Sequence, residues 1–226
     1  MKCNGIGCAG WGALLVLAGC ATPRMAPPAD VAGASEILTV SDRSRASGAL
    51  VNESFKLGSY DVADVNRDWD SKSSTGVGPW SKESKTTGFA FALKGQGKQL
   101  KGKCESEQKS NSILGLGGGA ISWGDLKIAC MCEGEGAKSE LVMTNDARTL
   151  KLGDKKYKVQ PIHDLEGGKT QSEPSGFRAD SDGLLGAVEV QYPGQIWLKR
   201  GLDDATKMQA SCIFAGLMLY QPPKDH

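Results

Sequence analysis

The chain has 226 residues, with 27 Lys and Arg against 26 Asp and Glu, for a formal net charge of +1. That balance argues against nucleic acid as a partner, because such binding rests on cations that neutralise phosphates. The length suits one domain with a real core plus short appendages, and the 30 glycines favour turns over long helices.

The N-terminus has three zones. Lys2 supplies a positive charge, Ile6 to Leu17 is mostly apolar and small, and Leu17-Ala18-Gly19-Cys20 closes the segment. This is the tripartite pattern of an export signal. The apolar run is too short to span a bilayer, which takes ~20 residues. The closing tetrapeptide resembles the lipobox of bacterial lipoproteins. The resemblance covers residues 1–20 and implies cleavage between Gly19 and Cys20, diacylglycerol on the Cys20 thiol and an acyl chain such as palmitate on the new amine. Ala21, in place of aspartate, implies sorting to the outer membrane. Two or more acyl chains give stable anchoring without a spanning segment. Loss of Lys2 with the signal leaves the mature chain formally neutral.

Residues 20–48 read as a lipidated cysteine and a flexible tether, with Pro23, Pro27 and Pro28 among alanines and serines. An ordered first strand at Glu36–Val40 is the alternative. Residues 49–226 read as one β-rich periplasmic domain.

Apolar residues then recur with period two. Phe55 and Leu57 share one face. The set shifts to Tyr60 and Val62 after Gly58, which suggests a bulge. Phe89, Phe91 and Leu93 share a face, Gly95-Gln96-Gly97 turns the chain, and Leu100 to Cys104 returns. Leu126, Ile128, Cys130 and Cys132 form another face. Leu141 and Met143 precede a turn at Asn145-Asp146. Leu150 and Leu152 lead to a two-residue hairpin at Gly153-Asp154, answered by Tyr157 and Val159. Val188, Val190 and Tyr192 run to Pro193-Gly194, which suits a type II turn. Ile196 and Leu198 follow.

About nine strands result, a count from period-two alternation. The expected fold is mainly β: an antiparallel meander sheet or a barrel-like clam, with one C-terminal helix. Asp203 or Asp204 caps that helix, Ala205 to Tyr220 forms it, and Pro222 and Pro223 stop it, with one last central strand at Ile213-Phe214-Ala215 as the alternative. Its second half is apolar on all sides, which places it on or inside the sheet. The domain loosely resembles uncharacterised β-rich envelope lipoproteins over residues 50–220, a likeness that implies no particular activity.

Seven cysteines are present. Cys3 and Cys8 leave with the signal and Cys20 carries lipid. Cys104, Cys130, Cys132 and Cys212 remain, and an oxidising periplasm permits two disulfides among them in any of three connectivities. Cys104 shares a phase with Leu100, and Cys130 with Ile128, so facing strands would join Cys104 to Cys130 or Cys132. Cys212 takes the other or stays a buried thiol. Cys130-Met131-Cys132 lacks the paired spacing of zinc motifs, so no metal and no cofactor is expected.

Other chemical motifs are weak. His163-Asp164 is the one histidine pair through which a Ser-His-Asp site would pass, and no Gly-x-Ser-x-Gly elbow accompanies it. Gly115 to Ala120 looks like a dinucleotide loop, but a strand, not a helix, is expected after it. It reads as a hairpin loop. Asp180-Ser181-Asp182-Gly183 fails the calcium pattern at Leu184 and Gln191 and reads as a turn. Lysines from Lys94 to Lys109 fit solvent-facing strands. Trp69, Trp80 and Trp123 fit rim packing or a ligand surface.

The expected function is a lipid-anchored lipoprotein of the outer membrane, facing the periplasm. It has no catalytic residues and plays a binding or scaffolding role toward an envelope protein or lipid. An envelope hydrolase using His163 and a lipid or small-ligand carrier are the alternatives.

Overall fold

The computed structural model describes residues 23–46, 49–77, 80–114, 120–134 and 136–220. The N-terminal part holds α1 (Ala29–Ala34), β1 (Ser35–Ser41), β2 (Ser44–Ala46), β3 (Ala49–Asn52) and β4 (Phe55–Leu57). Four long strands follow: β5 (Tyr60–Val77), β6 (Trp80–Gly95), β7 (Lys98–Leu114) and β8 (Ala120–Gly134). Then come β9 (Ala137–Met143), β10 (Arg148–Leu152), β11 (Lys155–Ile162), β12 (Asp164–Leu165) and β13 (Lys169–Thr170). β14 (Gly176–Asp180), β15 (Leu184–Glu189), β16 (Gln195–Lys199) and α2 (Asp204–Leu219) complete the chain.

Twelve strands close into one antiparallel barrel, in the order β1-β16-β15-β14-β11-β10-β9-β8-β7-β6-β5-β4. Closure is made by β1, which pairs with β16 on one side and β4 on the other. The expected meander is therefore correct and fully closed. Closure removes the edges that an open sheet would expose.

The tether expected over residues 20–48 is a correction. Residues 23–46 belong to the folded domain, which begins well before residue 49. Met25 is bridged to Leu165, and both Met25 and Val31 are buried. They pack with Ile162, Ala187 and Trp197 on the outside of the barrel wall. Proline and alanine suggested a linker, but one methionine and one valine suffice to seat the segment on an apolar outer wall. Consequently β15 is buried on both faces from Leu185 to Glu189. The weighed alternative, a strand at Glu36–Val40, lies within β1.

Local turn chemistry sets the hairpins. Gln96 and Gly97 both have positive φ, 54° and 73°, as a two-residue turn between right-twisted strands requires. Gly58 stands in the tight β4–β5 turn, with Leu57 paired to Tyr60, so the phase shift there is a hairpin and not the expected bulge. The nearest register shifts lie further along β5, between Ala63 and Asn66 and between Asn66 and Trp69. At Pro193-Gly194, where a turn is expected, Gly194 has a positive φ of 95° and the Tyr192–Pro193 peptide is cis.

Helix α2 fills the barrel. Asp203 caps its start, its carboxylate accepting from the Thr206 N–H at 2.9 Å and the Thr206 hydroxyl at 2.7 Å. Every residue from Ala210 to Leu219 is buried. The helix meets β7, β8 and β9 on one side and β15 and β16 on the other. No amphipathic stripe is needed where walls surround the helix. Pro222 and Pro223 lie outside the described residues.

Candidate functional site

Alternation places one continuous inward row across six strands: Phe89, Cys104, Cys130, Leu141, Leu150 and Tyr157 are register partners in turn. All six are buried. Cys104 and Cys130 face each other with Cα atoms 4.1 Å apart and form a disulfide. Cys132, two residues on, points the same way and is joined to Cys212 of the plug. Of the connectivities left open, the structure thus has Cys104–Cys130 and Cys132–Cys212. No thiol remains among these four. Gly216 lets the helix pass this point, because a Cβ there would lie 2.7 Å from the Cys104 sulfur.

The open upper end of the barrel gathers the polar groups. This end carries the β9–β10 turn, residues 163–175 and the β15–β16 link. Two guanidinium groups close the C-terminus of α2. Arg43 donates to the Met218 carbonyl at 2.9 Å and the Pro193 carbonyl at 3.0 Å. Arg67 donates to the Leu219 carbonyl at 2.6 Å and pairs with Glu53 at 2.7 Å. Arg43 also lies 5.2 Å from the Phe55 ring centre, and Arg67 4.9 Å from that of Phe89. Cations at a helix C-terminus satisfy its free carbonyls and favour its dipole. Nothing in the sequence pattern marks Arg43 or Arg67, since each belongs to a distant strand or link.

The N-terminal segment is locked at the same end. Glu189 is 0% exposed, yet accepts from Arg24 Nε and Nη2 at 2.8 and 2.6 Å and from the Met25 N–H at 2.7 Å. The Glu189 contact raises the Arg24 pKa above its ordinary value.

His163 also sits here, half-buried. Its Nδ1 bonds the Gln171 carbonyl oxygen at 3.2 Å. Ser175, the nearby buried serine, donates to the carbonyls of Ile162 and Asp164 at 2.9 and 3.0 Å. These contacts tie a loop together, and the geometry does not assemble serine, histidine and aspartate into a relay. Asp180 to Gly183 is a turn, with the Ser181 N–H on the Gly183 carbonyl at 3.0 Å. Among the described residues no three His, Cys, Asp or Glu converge as metal ligands. The lysines of β7 are interleaved with acids, as in Lys103–Glu105 and Lys109–Glu107 at 2.8 and 3.0 Å, so this strand is not a basic face.

The largest feature at this end is an extension. β8 loses its β9 neighbour beyond Ile128, and β5 loses its β4 neighbour beyond Val62. The four strands β5 to β8 nevertheless stay paired to their tips, through Val77–Trp80 and Leu114–Ala120. From Ile128 to Ala120 this four-stranded blade rises roughly 26 Å at ~3.3 Å per residue. Trp80 and Trp123 fall on it, and Trp69 lies just below it, in the row of Gly88, Glu105 and Ala129. The Gly-rich connection 115–119 lies outside the described residues, but it joins antiparallel strands and β8 follows it, so the dinucleotide context is missing.

Fold and rim define a class: a helix-plugged antiparallel barrel with a four-stranded blade. Compared with family models, with curated proteins and with solved structures, the chain matches none. No helix among the described residues is long and apolar enough to cross a membrane.

Proposed function

We propose that the protein is a lipid-anchored lipoprotein of the cell envelope, held in the outer membrane through Cys20 and facing the periplasm, where it presents a binding or scaffolding surface. The observation that carries this reading is the pairing of Cys104, Cys130, Cys132 and Cys212 in two disulfides. Such pairing suits an oxidising compartment, and it leaves Cys20 of the lipobox as the one cysteine of the mature chain whose thiol is available for diacylglycerol. The scaffolding part is supported by the plug. With α2 inside the barrel and tied to its wall, outer surfaces are what the protein offers.

Replacing Cys20 by Ala tests the anchor. The expected result is release of the protein from membranes and loss of radiolabelled palmitate. Continued membrane association with an uncut N-terminus would overturn the reading. A cross-linked pull-down from intact cells then separates the roles. A stoichiometric envelope protein supports scaffolding, whereas an enriched lipid or small molecule without protein supports a carrier. Hydrolysis by His163 remains the third role, and a defined activity lost in His163→Ala would establish it.

A further inference from the structure

The end of the blade carries an apolar row that the rest of the blade lacks. Val77 pairs with Trp80, Trp80 with Ile113, and Ile113 with Ile121, so one register row is apolar across all four strands. Leu114 and Ala120 pair just beyond it. Below this row the blade is mostly polar, with Trp123 and Leu126 of β8 the large apolar residues. Lys72 faces Lys85, Ser73 faces Ser84, and Glu107 faces Lys127. Charged residues at mid-bilayer on a lipid-facing strand are strongly disfavoured, so the blade is not built to span. An apolar end on a polar stalk instead suits the boundary between water and acyl chains, where tryptophan is favoured.

The direction is right for such a contact. Met25 sits at the upper end of the barrel, paired with Leu165, and the blade rises from the same end. Cys20 lies five residues before Met25 and can stand no more than ~17 Å from it. The blade rises roughly 26 Å. A bilayer holding acyl chains on Cys20 is therefore within reach of the tip. From the row of Glu107 and Lys127 outward, the blade holds Lys72, Lys82, Lys85, Lys109 and Lys127 against Glu83, Glu107 and Asp125. That surplus of cations favours anionic headgroups.

We infer that the row Val77, Trp80, Ile113 and Ile121 at the blade tip docks into the headgroup boundary of an anionic phospholipid bilayer, as a second membrane contact beside the N-terminal lipid. The inference rests on the lipoprotein reading for its orientation.

The test uses the protein as cells process it, purified from membranes and reconstituted into vesicles of phosphatidylglycerol and phosphatidylcholine brominated near the headgroup. Bromine quenches tryptophan only by contact. The expected result is marked quenching of the wild type, most of it lost in the double variant Trp80→Phe, Trp123→Phe. Quenching should also fall for the wild type when phosphatidylglycerol is left out, a comparison that needs no variant to fold. Absence of quenching in the wild type, as when a protein partner or second copy covers the tip, overturns the inference. Equal quenching in the double variant does so too. The intact mass of the purified protein shows separately whether Cys20 is acylated. If it is not, the lipoprotein reading fails, and the same quenching is read on vesicles added to the free protein.

Discussion

Glu189 shows how one residue can decide where a domain begins. A carboxylate with no exposed surface is costly unless its lone pairs are filled, and here they are filled by Arg24 and the Met25 N–H. Removing the partner leaves the charge buried, which costs ~3–5 kcal/mol for a fully buried pair. Arg24 keeps 33% of its side chain exposed, so Arg24→Ala should cost less, roughly 2 kcal/mol in urea unfolding. Glu189→Gln with Arg24→Ala should recover part of that loss, because the amide leaves no uncompensated charge. If Arg24→Ala is as stable as wild type, the N-terminal segment is not part of the folding unit.

Among the elements, α2 depends on its cap and its crosslink. Hydrogen bonds from Thr206 hold the Asp203 carboxyl below its ordinary value. A lowered folded pKa gives stability that is present above the unfolded value, near 4, and is lost as pH falls through the folded value. Asp203→Asn keeps an acceptor and should flatten this acid limb, while Asp203→Ala should cost ~1 kcal/mol at neutral pH. Circular dichroism during an acid titration reads both. The two crosslinks should differ in worth. The Cys132–Cys212 bond closes a separation of 80 residues and Cys104–Cys130 one of 26. Chain entropy gives ~4.5 and ~3.5 kcal/mol respectively, so the Ala pair at 132 and 212 should unfold at lower urea than the pair at 104 and 130. The reverse order would mean that α2 is held by packing alone.

These elements were unevenly legible. Strands with one wet and one buried face, such as β4, β9 and β10, announce themselves by alternation, and their residues point inward as expected. The outer halves of β5 to β8 do not, because most of their residues below the tip row are polar and period two has little contrast to show. β1 was masked for the opposite reason. Its pattern is short and its neighbourhood rich in proline and alanine. The inward phase of Cys104, Cys130 and Cys132 was readable, yet the partner of Cys212 was not. Only the closed barrel brings the C-terminal helix against β8. Likewise, His163 stood out as a rare residue type, whereas Arg43 and Arg67 act only through the helix end that folding carries to them.

At the scale of the whole molecule, barrel and blade share strands but little else. Ser71, Thr86, Glu107 and Lys127 form one register row where the blade leaves the barrel. Row partners in an antiparallel pair can be joined by a two-residue turn. Replacing residues 72–85 and 108–126 each by Asn-Gly should therefore yield a closed barrel with both disulfides intact. All four cysteines, α2 and the buried row from Phe89 to Tyr157 lie outside the deleted segments, so the unfolding midpoint should stay close to that of the whole protein. The shortened chain should still reach the membrane through Cys20, while the contact of the tip with lipid is gone. Should the shortened chain instead fail to form its disulfides, the long β7–β8 ladder is needed to bring Cys104 to Cys130 during folding. The blade would then be a part of the folding machinery as well as a surface for binding.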